Sequence, residues 1–546
     1  MSPALVDGRE VPSETIFETK VCIVGFGPAG QILSEELSAA GVQHIILESG
    51  LPGLDVDIWR LNEGEVTGLP YPIRESRARG FGGSALAWDM DVGGVPGARY
   101  RPLDEEDFVD TGGLRGISWP FGRSELDRFY ETAHHRCGLG EAEQTDLDSG
   151  SKLLASGDLS PSEFHFGPQS AFSRDELLDG RFRRVIYGAT ATRLVRSQSD
   201  SSIEGVSVGT LTGKVFTIEA EIFVLACGGL ENAKLLLMSH PPGERTPIGN
   251  SHDLVGRFFM EHLHLWSGVV ESHKTLVKAP STDFTRSGSA WIKNKFALTP
   301  ETQESVGILS AAAMLTERPW AEPAGYLAHQ GGVSALVDRI PDDADRKQRL
   351  EVAKSDWRNA AGWAKRKATW ELYGRRASKS RHEQGGQLLE IYVFAEQFPN
   401  WDSRVYLADE VDELGMRLLD PDCRKLVMDW RITDIDVATV RATHRLISDR
   451  LKLVGPSRIG SRFREEGLPP GLRGGFHHMG TTRMHISPRK GVVDSDLRVH
   501  DASNLFVAGS SVFPTVGYAN PTLTVCALAY RLAERLIAMT GPAQPA

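Results

Sequence analysis

The chain has 546 residues, more than one hydrophobic core usually supports, so two structural domains with interleaved segments are expected. Hydrophobic residues make up 40% of it and charged residues 24%, which argues against a disordered or fibrous protein. The net charge of -11 and the pI near 5.9 argue against partners such as nucleic acid or an anionic membrane surface. A small molecule is therefore the expected partner.

Cysteine usage and hydropathy predict the cellular compartment. The cysteines are odd in number, far apart and without CxxC pairs, which favours reduced thiols over a disulfide framework or a zinc site. The N-terminal segment lacks the basic start and apolar core of an export signal, and no run of about eighteen apolar residues occurs. We expect a cytoplasmic protein with no membrane span, and the oligomeric state stays open.

The first motif begins at Lys20, where the chain reads KVCIVGFGPAGQILSEELSAAGVQHIILESG. The pattern predicts a strand, a glycine turn, a helix and a second strand that ends at Glu48. Gly25, Gly27 and Gly30 have the GxGxxG spacing, which allows a tight turn, close approach of a pyrophosphate and tight helix packing. A carboxylate at the end of the second strand can accept hydrogen bonds from the ribose of an adenosine. The unit predicts dinucleotide binding, with NAD and FAD both open.

Two later segments favour FAD, because FAD proteins often return distant parts of the chain to one cofactor. The first is a predicted strand from Ile222 to Ala226, followed by Gly228, Gly229 and a helix. The second is a predicted strand from Leu505 to Ala508, a Gly/Ser turn and a helix that starts after Pro521.

Several motifs follow one another in a defined order along the chain: the fingerprint ending in ESG, then RARGFGGSALAW, LACGGLENAKLLL, VGRFFMEH, HHMGTTRM and NPTLT. In this order they resemble the glucose-methanol-choline (GMC) oxidoreductase family over almost the whole length. The last two motifs look most like the branch that contains pyranose oxidases, glycoside 3-oxidases and fructose dehydrogenase-like subunits. The resemblance implies an α/β fold with a Rossmann-like FAD-binding domain and a discontinuous substrate-binding α+β domain, an architecture similar to p-hydroxybenzoate hydroxylase.

The resemblance also implies how the chain divides. The predicted segments are 1–100 (FAD-binding, first segment), 101–175 (connecting and substrate-domain elements), 176–265 (FAD-binding, second segment), 266–470 (substrate-binding) and 471–546 (FAD-binding, C-terminal segment). A charged, tryptophan-containing stretch near 337–385 is interpreted as a helical insertion, either a lid over the substrate or a subunit contact.

The FAD contacts that follow from the resemblance extend the fingerprint by small residues, which let the backbone approach the cofactor. These additional contacts are Gly82, Gly83, Ser84, Ala191, Gly228, Gly509, Ser510 and Thr522. Many family members carry an acidic residue where Gly509 or Ser510 stands here. Some sugar oxidases tether the flavin through a histidine before the tryptophan of THW, but Ala87 precedes Trp88 in this chain. The prediction is non-covalent FAD.

Oxidation of an alcohol removes a hydroxyl proton and a hydride from one carbon, and flavin N5 can accept the hydride. His477 opens the HxxGT pattern that supplies the base in the family, and Asn520, in NPTLT, matches the second active-site residue. A neutral imidazole, with an ordinary pKa of about 6.5, suits proton removal. His478 is the alternative base. No further cluster of His, Cys or carboxylates has ligand spacing, so no metal site is expected.

Other polar residues are weaker candidates. Gln397 and Asn400 follow a predicted strand of the substrate sheet, where they either bind sugar hydroxyls or form a turn. Four more histidines are interpreted as ordinary structural residues: His262, His264, His485 and His500.

The prediction is an FAD-dependent oxidoreductase that oxidises a secondary alcohol of a sugar, glycoside or sugar-bearing natural product to a ketone. The alternatives are a redox-silent lyase of the same fold and a dehydrogenase subunit acting on a non-sugar alcohol. Oxygen, a quinone or a protein is the electron acceptor.

Overall fold

The computed structural model describes the chain except for residues 1–3, 54, 88–96, 111–112, 141–145, 168–170, 173–183, 242, 244, 289, 318–385, 412–422, 462, 464–466 and 542–546. The predicted charged insertion near 337–385 and the tryptophan after Ala87 lie outside the described residues. No helix in the described part of the chain is long and apolar enough to cross a membrane.

The secondary-structure elements alternate between helices and strands along the chain. The α-helices of the described residues are α1 (Pro28–Ala39), α2 (Val56–Arg60), α3 (Asp127–Arg136), α4 (Ser149–Leu154), α5 (Gly229–Met238), α6 (Pro300–Val306), α7 (Asp434–Val454) and α8 (Thr522–Thr540). The strands up to residue 225 are β1 (Ala4–Asp7), β2 (Ile16–Val24), β3 (His44–Leu47), β4 (Gly64–Val66), β5 (Arg99–Tyr100), β6 (Leu159–Phe166), β7 (Arg184–Tyr187), β8 (Thr190–Arg196), β9 (Ile203–Gly209) and β10 (Val215–Leu225). The later strands are β11 (Leu263–Ser272), β12 (Thr285–Ser287), β13 (Ala290–Leu298), β14 (Ala311–Glu317), β15 (Gln387–Ala395), β16 (Arg404–Val411), β17 (Arg424–Asp429), β18 (Ser457–Ser461), β19 (Arg473–Gly474) and β20 (Leu505–Val507).

The first sheet contains the predicted βαβ unit. Its strand order is β1-β7-β3-β2-β10-β9-β8, and β20 also pairs with β10. The pairs among β1, β7, β3, β2, β10 and β20 are parallel. All four residues of β3 are buried, as expected for a parallel strand covered on both faces. The helix α1 starts with Pro28 in its first turn, where the missing N–H costs nothing.

The C-terminal part of the chain completes this sheet. Strand β20 adds to β10 through Phe223–Leu505, Val224–Phe506 and Leu225–Val507 pairing. The predicted strand at 222–226 is the end of the longer β10, and the helix predicted after Pro521 is α8. Three separate stretches of sequence therefore build one Rossmann-like sheet.

The second sheet is larger and mostly antiparallel. Its strand order is β18-β11-β15-β14-β13-β6-β5, with β12 on β13 and β19 on β11. One face packs against α7, which buries Val440, Ile447 and Leu451 in the core. The opposite face bears polar, charged and aromatic side chains, including Lys295 and Phe394.

The fold is the predicted α/β architecture of a Rossmann-like FAD-binding domain with a discontinuous substrate-binding domain. A small third sheet, β16-β17-β4, pairs Gly64–Val66 with residues near Leu426. Strands from two of the predicted segments thus share one sheet, and the segment boundaries stay a prediction.

Candidate active site

A deep cleft opens where the parallel strands β2, β3, β10 and β20 end. Its empty volume, counted out to open solvent, is about 1600 Å³. In open α/β sheets, ligands bind at this carboxyl edge. The cleft is lined by every residue predicted to contact FAD except Gly30 and Gly82.

Gly25 and Gly30 shape the entry of α1. Gly25 has φ 110°, and a Cβ added to it would lie 2.4 Å from the carbonyl oxygen of Ala226. A Cβ on Gly30 would lie 2.1 Å from the carbonyl oxygen of Gly25. Gly30 therefore permits close packing of helix and strand rather than lining the cleft. Gly82, with φ 98°, donates its N–H to Phe26 and supports the neighbouring turn in the same indirect way.

Two further glycines leave room for a ligand. Gly228 has φ 86° and Gly509 has φ 116°, conformations that favour glycine. A Cβ at either position would meet nothing within 4 Å, and both residues line the cleft. Gly228 precedes α5, and Ser510 follows Gly509 with its hydroxyl donating to the carbonyl of His478 at 2.7 Å.

Glu48 stands directly after β3, as predicted. Its Oε2 accepts the N–H of Phe26 at 3.0 Å and its Oε1 accepts the N–H of Gly50 at 2.7 Å. Burial raises the pKa of this carboxyl, and the two backbone donors counteract that effect. Oε1 also accepts the Ser49 hydroxyl at 3.5 Å, whereas Oε2 still has a lone pair for a ribose hydroxyl. The cleft, with its glycine turn at one end and Glu48 at the strand tip, fits the ADP half of FAD.

His477 and Asn520 meet at this cleft. Nε2 of His477 lies 3.1 Å from Nδ2 of Asn520, although 43 residues separate them in the chain. Both side chains are half-buried, and His477 lines the cleft together with Pro521 and Thr522 at the start of α8. Burial, followed by the positive charge that His262 and His478 can carry, lowers the pKa of His477 well below its usual range. The imidazole is therefore neutral at physiological pH.

His262 holds the other side of that imidazole. Its Nδ1 lies 2.8 Å from Nδ1 of His477, and its Nε2 lies 3.2 Å from the carbonyl oxygen of Val516. A carbonyl only accepts, so Nε2 of His262 carries its proton and Nδ1 is an acceptor. His477 must then donate from Nδ1, which leaves a lone pair on Nε2 beside Asn520. Burial lowers the pKa of His262 to about 4, so this neutral form persists at physiological pH.

Glu261 fixes the backbone beneath the two histidines. Its carboxylate is buried and accepts the N–H groups of Gly475 at 3.0 Å, His477 at 2.9 Å and His262 at 3.2 Å. The hydroxyl of Tyr71 donates to its other oxygen. Burial raises the pKa of Glu261 to about 7, despite these donors.

His478, the alternative base, also lines the cleft but is differently placed. Its Nε2 lies 2.8 Å from the Tyr71 hydroxyl, and burial lowers its pKa to about 3. A Cβ on Gly229 would lie 2.3 Å from the His478 carbonyl oxygen, so this residue packs tightly on the start of α5. Its Nε2 is engaged by a structural hydroxyl, whereas that of His477 meets only the Asn520 amide among the described residues.

Gln397 and Asn400, the predicted substrate contacts, make hydrogen bonds within the protein, and their contact with substrate stays a prediction. Gln397 is fully buried; its Oε1 accepts from Glu261 N–H and the Trp430 indole at 2.9 Å each, and its Nε2 donates to the carbonyl of Arg431 at 2.9 Å. Asn400 accepts the N–H of Asp402 at 3.0 Å and closes a turn. The Gln397 amide and the side-chain oxygen of Asn400 thus hold neighbouring segments of the chain together.

The predicted site thus forms at His477 and Asn520, while His262, Glu261 and Tyr71 were missed. The motif VGRFFMEH contained two of these residues, but His262 was interpreted as structural and Glu261 was not considered. Among the described residues, no group of three or more His, Cys, Asp or Glu side chains is arranged to hold a metal ion.

Comparisons with known proteins agree with this geometry. The family model described as GMC oxidoreductase matches residues 399–529, and one described as FAD binding domain matches residues 18–50. The 6'''-hydroxyparomomycin C oxidase of Streptomyces lividus is 24% identical over 98% of this chain and 94% of its own. The C-glycoside 3-oxidase of Arthrobacter globiformis is 37% identical over 20% of each chain. Pyridoxine 4-oxidase from Mesorbium loti, at 15% identity, shares the fold with a TM-score of 0.54 over 95% of this chain and 99% of that one.

The C-terminal segment of the chain thus carries the GMC oxidoreductase match. The chain is an FAD-dependent oxidoreductase that acts on alcohol groups, as the family match and the FAD-binding segment indicate. The cleft, with its glycine turns and Glu48, has the room and the acceptor that this cofactor requires.

Proposed function

We propose that this enzyme oxidises a secondary hydroxyl of a sugar or glycoside to a ketone, with His477 as the base and Asn520 as the second ligand of the reacting hydroxyl. The observation that carries the proposal is the 3.1 Å contact between Nε2 of His477 and Nδ2 of Asn520 at the cofactor cleft. At this spacing, the Nε2 acceptor of His477 can reach the proton of a hydroxyl group while the Nδ2 donor of Asn520 reaches its oxygen.

The protein's part of the reaction is proton removal and orientation. Bound FAD supplies the hydride acceptor. The lone pair on Nε2 of His477 takes the hydroxyl proton, while the Asn520 amide donates to the same oxygen and fixes the C–H bond. Once protonated, His477 keeps its Nδ1–H bond to His262, so the ring does not turn. Glu261 holds the backbone N–H of His477 throughout.

The substrate class rests on the relatives and on the substrate sheet. Their names describe oxidases of an aminoglycoside and of C-glycosides. In this chain, aromatic side chains lie on the sheet face near His477: the rings of Trp266 and Tyr392 have centres 4.3 Å apart, and His264 lies 4.8 Å from Phe394. Aromatic faces suit the apolar C–H surface of a sugar ring.

Absorption spectroscopy of the FAD-loaded protein tests the proposal. Monosaccharides and alkyl or aryl glycosides are mixed with it anaerobically, the flavin band is followed, and air is then admitted. We expect bleaching by at least one glycoside and a ketone in the product, and recovery in air identifies oxygen as an acceptor. Bleaching only by non-sugar alcohols overturns the substrate class. A flavin that no alcohol bleaches overturns the reaction and favours a redox-silent lyase.

A further inference from the structure

The face of the substrate sheet opposite α7 contains a buried ammonium group. Lys295 lies on β13 and is only 2% exposed. Its Nζ stands between two aromatic rings, 3.3 Å from the ring centre of Phe164 on β6 and 3.6 Å from that of Phe394 on β15. Two ring faces stabilise a cation by less than the cost of removing an ammonium from water.

Lys295 Nζ has no hydrogen-bond partner among the described residues. Lys293, two residues earlier on the same face, differs in this respect. Its Nζ donates to the carbonyl of Thr282 at 3.1 Å and to the hydroxyl of Thr316 at 3.4 Å. Buried ammonium groups are normally paired with a carboxylate or fully hydrogen-bonded. The lack of a partner therefore distinguishes Lys295 from its neighbour.

The surroundings of Lys295 are positively charged. Burial lowers the pKa of Lys295 well below its usual range, and Arg99, Arg101 and Lys293 lower it further. Arg101 has its own carboxylate, because it contacts Asp104 at 2.5 Å. An anion placed beside Lys295 would relieve the repulsion among these groups and restore the charged ammonium.

A cation cluster, formed by Lys295 and its neighbours Arg99, Arg101 and Lys293, lies next to the proposed reaction centre. The Phe394 ring, which covers Lys295, lies 4.8 Å from the ring of His264, whose centre is 5.9 Å from that of His477. The side chains of Lys295 and Arg99 both act electrostatically on His477. A ligand that reaches from His477 across the His264 ring would bring its far end to this cluster.

We propose that Lys295 binds a carboxylate of the substrate, so that the preferred alcohol is a sugar acid or an acidic glycoside. The inference rests on the function proposed above, since it names the substrate class of the same site. The carboxylate replaces one of the two aromatic rings beside Nζ and accepts a charge-assisted hydrogen bond from the ammonium group. Uronate-type substrates are favoured, and amine-bearing sugars are repelled by the same cluster.

Matched substrates test this preference. Methyl glycosides of glucose, galactose and mannose are each compared with their uronates and 2-amino derivatives, by anaerobic flavin reduction. We expect kcat/KM for a uronate to exceed that of its neutral partner by about tenfold or more. In Lys295→Met, kcat/KM for the uronate should fall about tenfold to a hundredfold, as for a lost hydrogen bond to a charged group, and that for the neutral glycoside by less than about threefold.

Lys274→Met is the control, because it removes an exposed lysine outside this cluster, and it should keep the uronate preference. Equal use of neutral and acidic substrates by the wild type, or an unchanged preference in Lys295→Met, overturns the proposal. Binding is also measured without turnover, as the rise in Tm of the FAD-loaded protein with glucuronate. A rise that Lys295→Met abolishes supports the carboxylate site even if no sugar bleaches the flavin, in which case only the proposed function fails.

Discussion

Nδ1 of His262 and Nδ1 of His477 lie 2.8 Å apart, and only one of the two nitrogens can carry the proton between them. Because the Val516 carbonyl takes the Nε2–H of His262, that proton belongs to His477. The orientation of the proposed base is thus determined by a residue that does not line the cofactor cleft.

Replacement of His262 separates this positioning role from simple packing. His262→Gln keeps an acceptor for the His477 Nδ1–H and should reduce flavin at near wild-type rates. His262→Leu removes the acceptor that fixes the tautomer of His477. It should slow flavin reduction by roughly tenfold to a hundredfold, with an altered pH profile. The measurement is the anaerobic reduction rate from pH 5 to 9. Equal losses in both variants, with an unchanged pH profile, would mean that His262 only fills space.

Loss of the base should abolish most of the reaction without loss of the cofactor. His477→Ala should lower the reduction rate by about a hundredfold to ten-thousandfold. Asn520→Ala removes one donor to the reacting oxygen and should cost about a hundredfold to a thousandfold. His252→Ala, at an exposed histidine, is the control. Near-normal reduction by His477→Ala would transfer the role of base to His478.

A substitution in the glycine turn should impair both FAD binding and stability. Gly30→Ala places a Cβ 2.1 Å from the Gly25 carbonyl, so α1 must shift away from the strand and the cleft should lose FAD. We expect a stability cost of about 1–3 kcal/mol, as for overpacking. Gly53→Ala is the control, because nothing lies within 4 Å of its Cβ. Flavin content and Tm decide the question; a Gly30→Ala protein with full flavin content would refute the packing role.

Glu261 predicts a pH dependence of stability. Its folded pKa of about 7 lies above the ordinary 4.5, so the folded chain keeps a proton that the unfolded chain loses. The stability this group contributes is complete below pH 4.5 and is lost as the pH rises to about 7, a change of about 3 kcal/mol. Glu261→Gln should remove this fall, whereas Glu219→Gln, at an exposed site, should keep it. Unfolding in urea at pH 5 and pH 8 measures the difference; parallel losses in wild type and Glu261→Gln would contradict it.

Denaturation should release FAD from the protein. Ala87 cannot form the histidyl bond found in some sugar oxidases, and we expect non-covalent FAD. After acid precipitation, all flavin absorbance should appear in the supernatant. Yellow colour that stays with the pellet would indicate attachment at another His or Cys.

The parts of the fold that follow local rules were predictable from the sequence. The strand, glycine turn, helix and acid of the first motif depend on residues that are close together in the chain, and the structure contains them. His477 and Asn520 were predicted from family motifs, and the structure brings them within hydrogen-bond distance. Their chemical roles stay a proposal.

The missed residues depend on contacts between distant segments. His262 matters because it meets His477, 215 positions later in the chain. Lys295 sits in a strand and would ordinarily be exposed; it is buried because its neighbours on the sheet are aromatic. Gln397 resembled a ligand at a strand end, but its partners are Glu261, Trp430 and Arg431, and no local pattern predicts them.

The pairing of β20 with β10 also bears on how the protein is made. Residues 223–225 pair with residues 505–507. On the ribosome, this part of β10 therefore lacks one of its partners until residue 507 has emerged. Gly509 and Ser510, which close the cleft, arrive at the same time. We therefore expect FAD to bind only after residues 505–510 have emerged from the ribosome. Chains that terminate early would expose an unpaired strand and become substrates for chaperones and proteases.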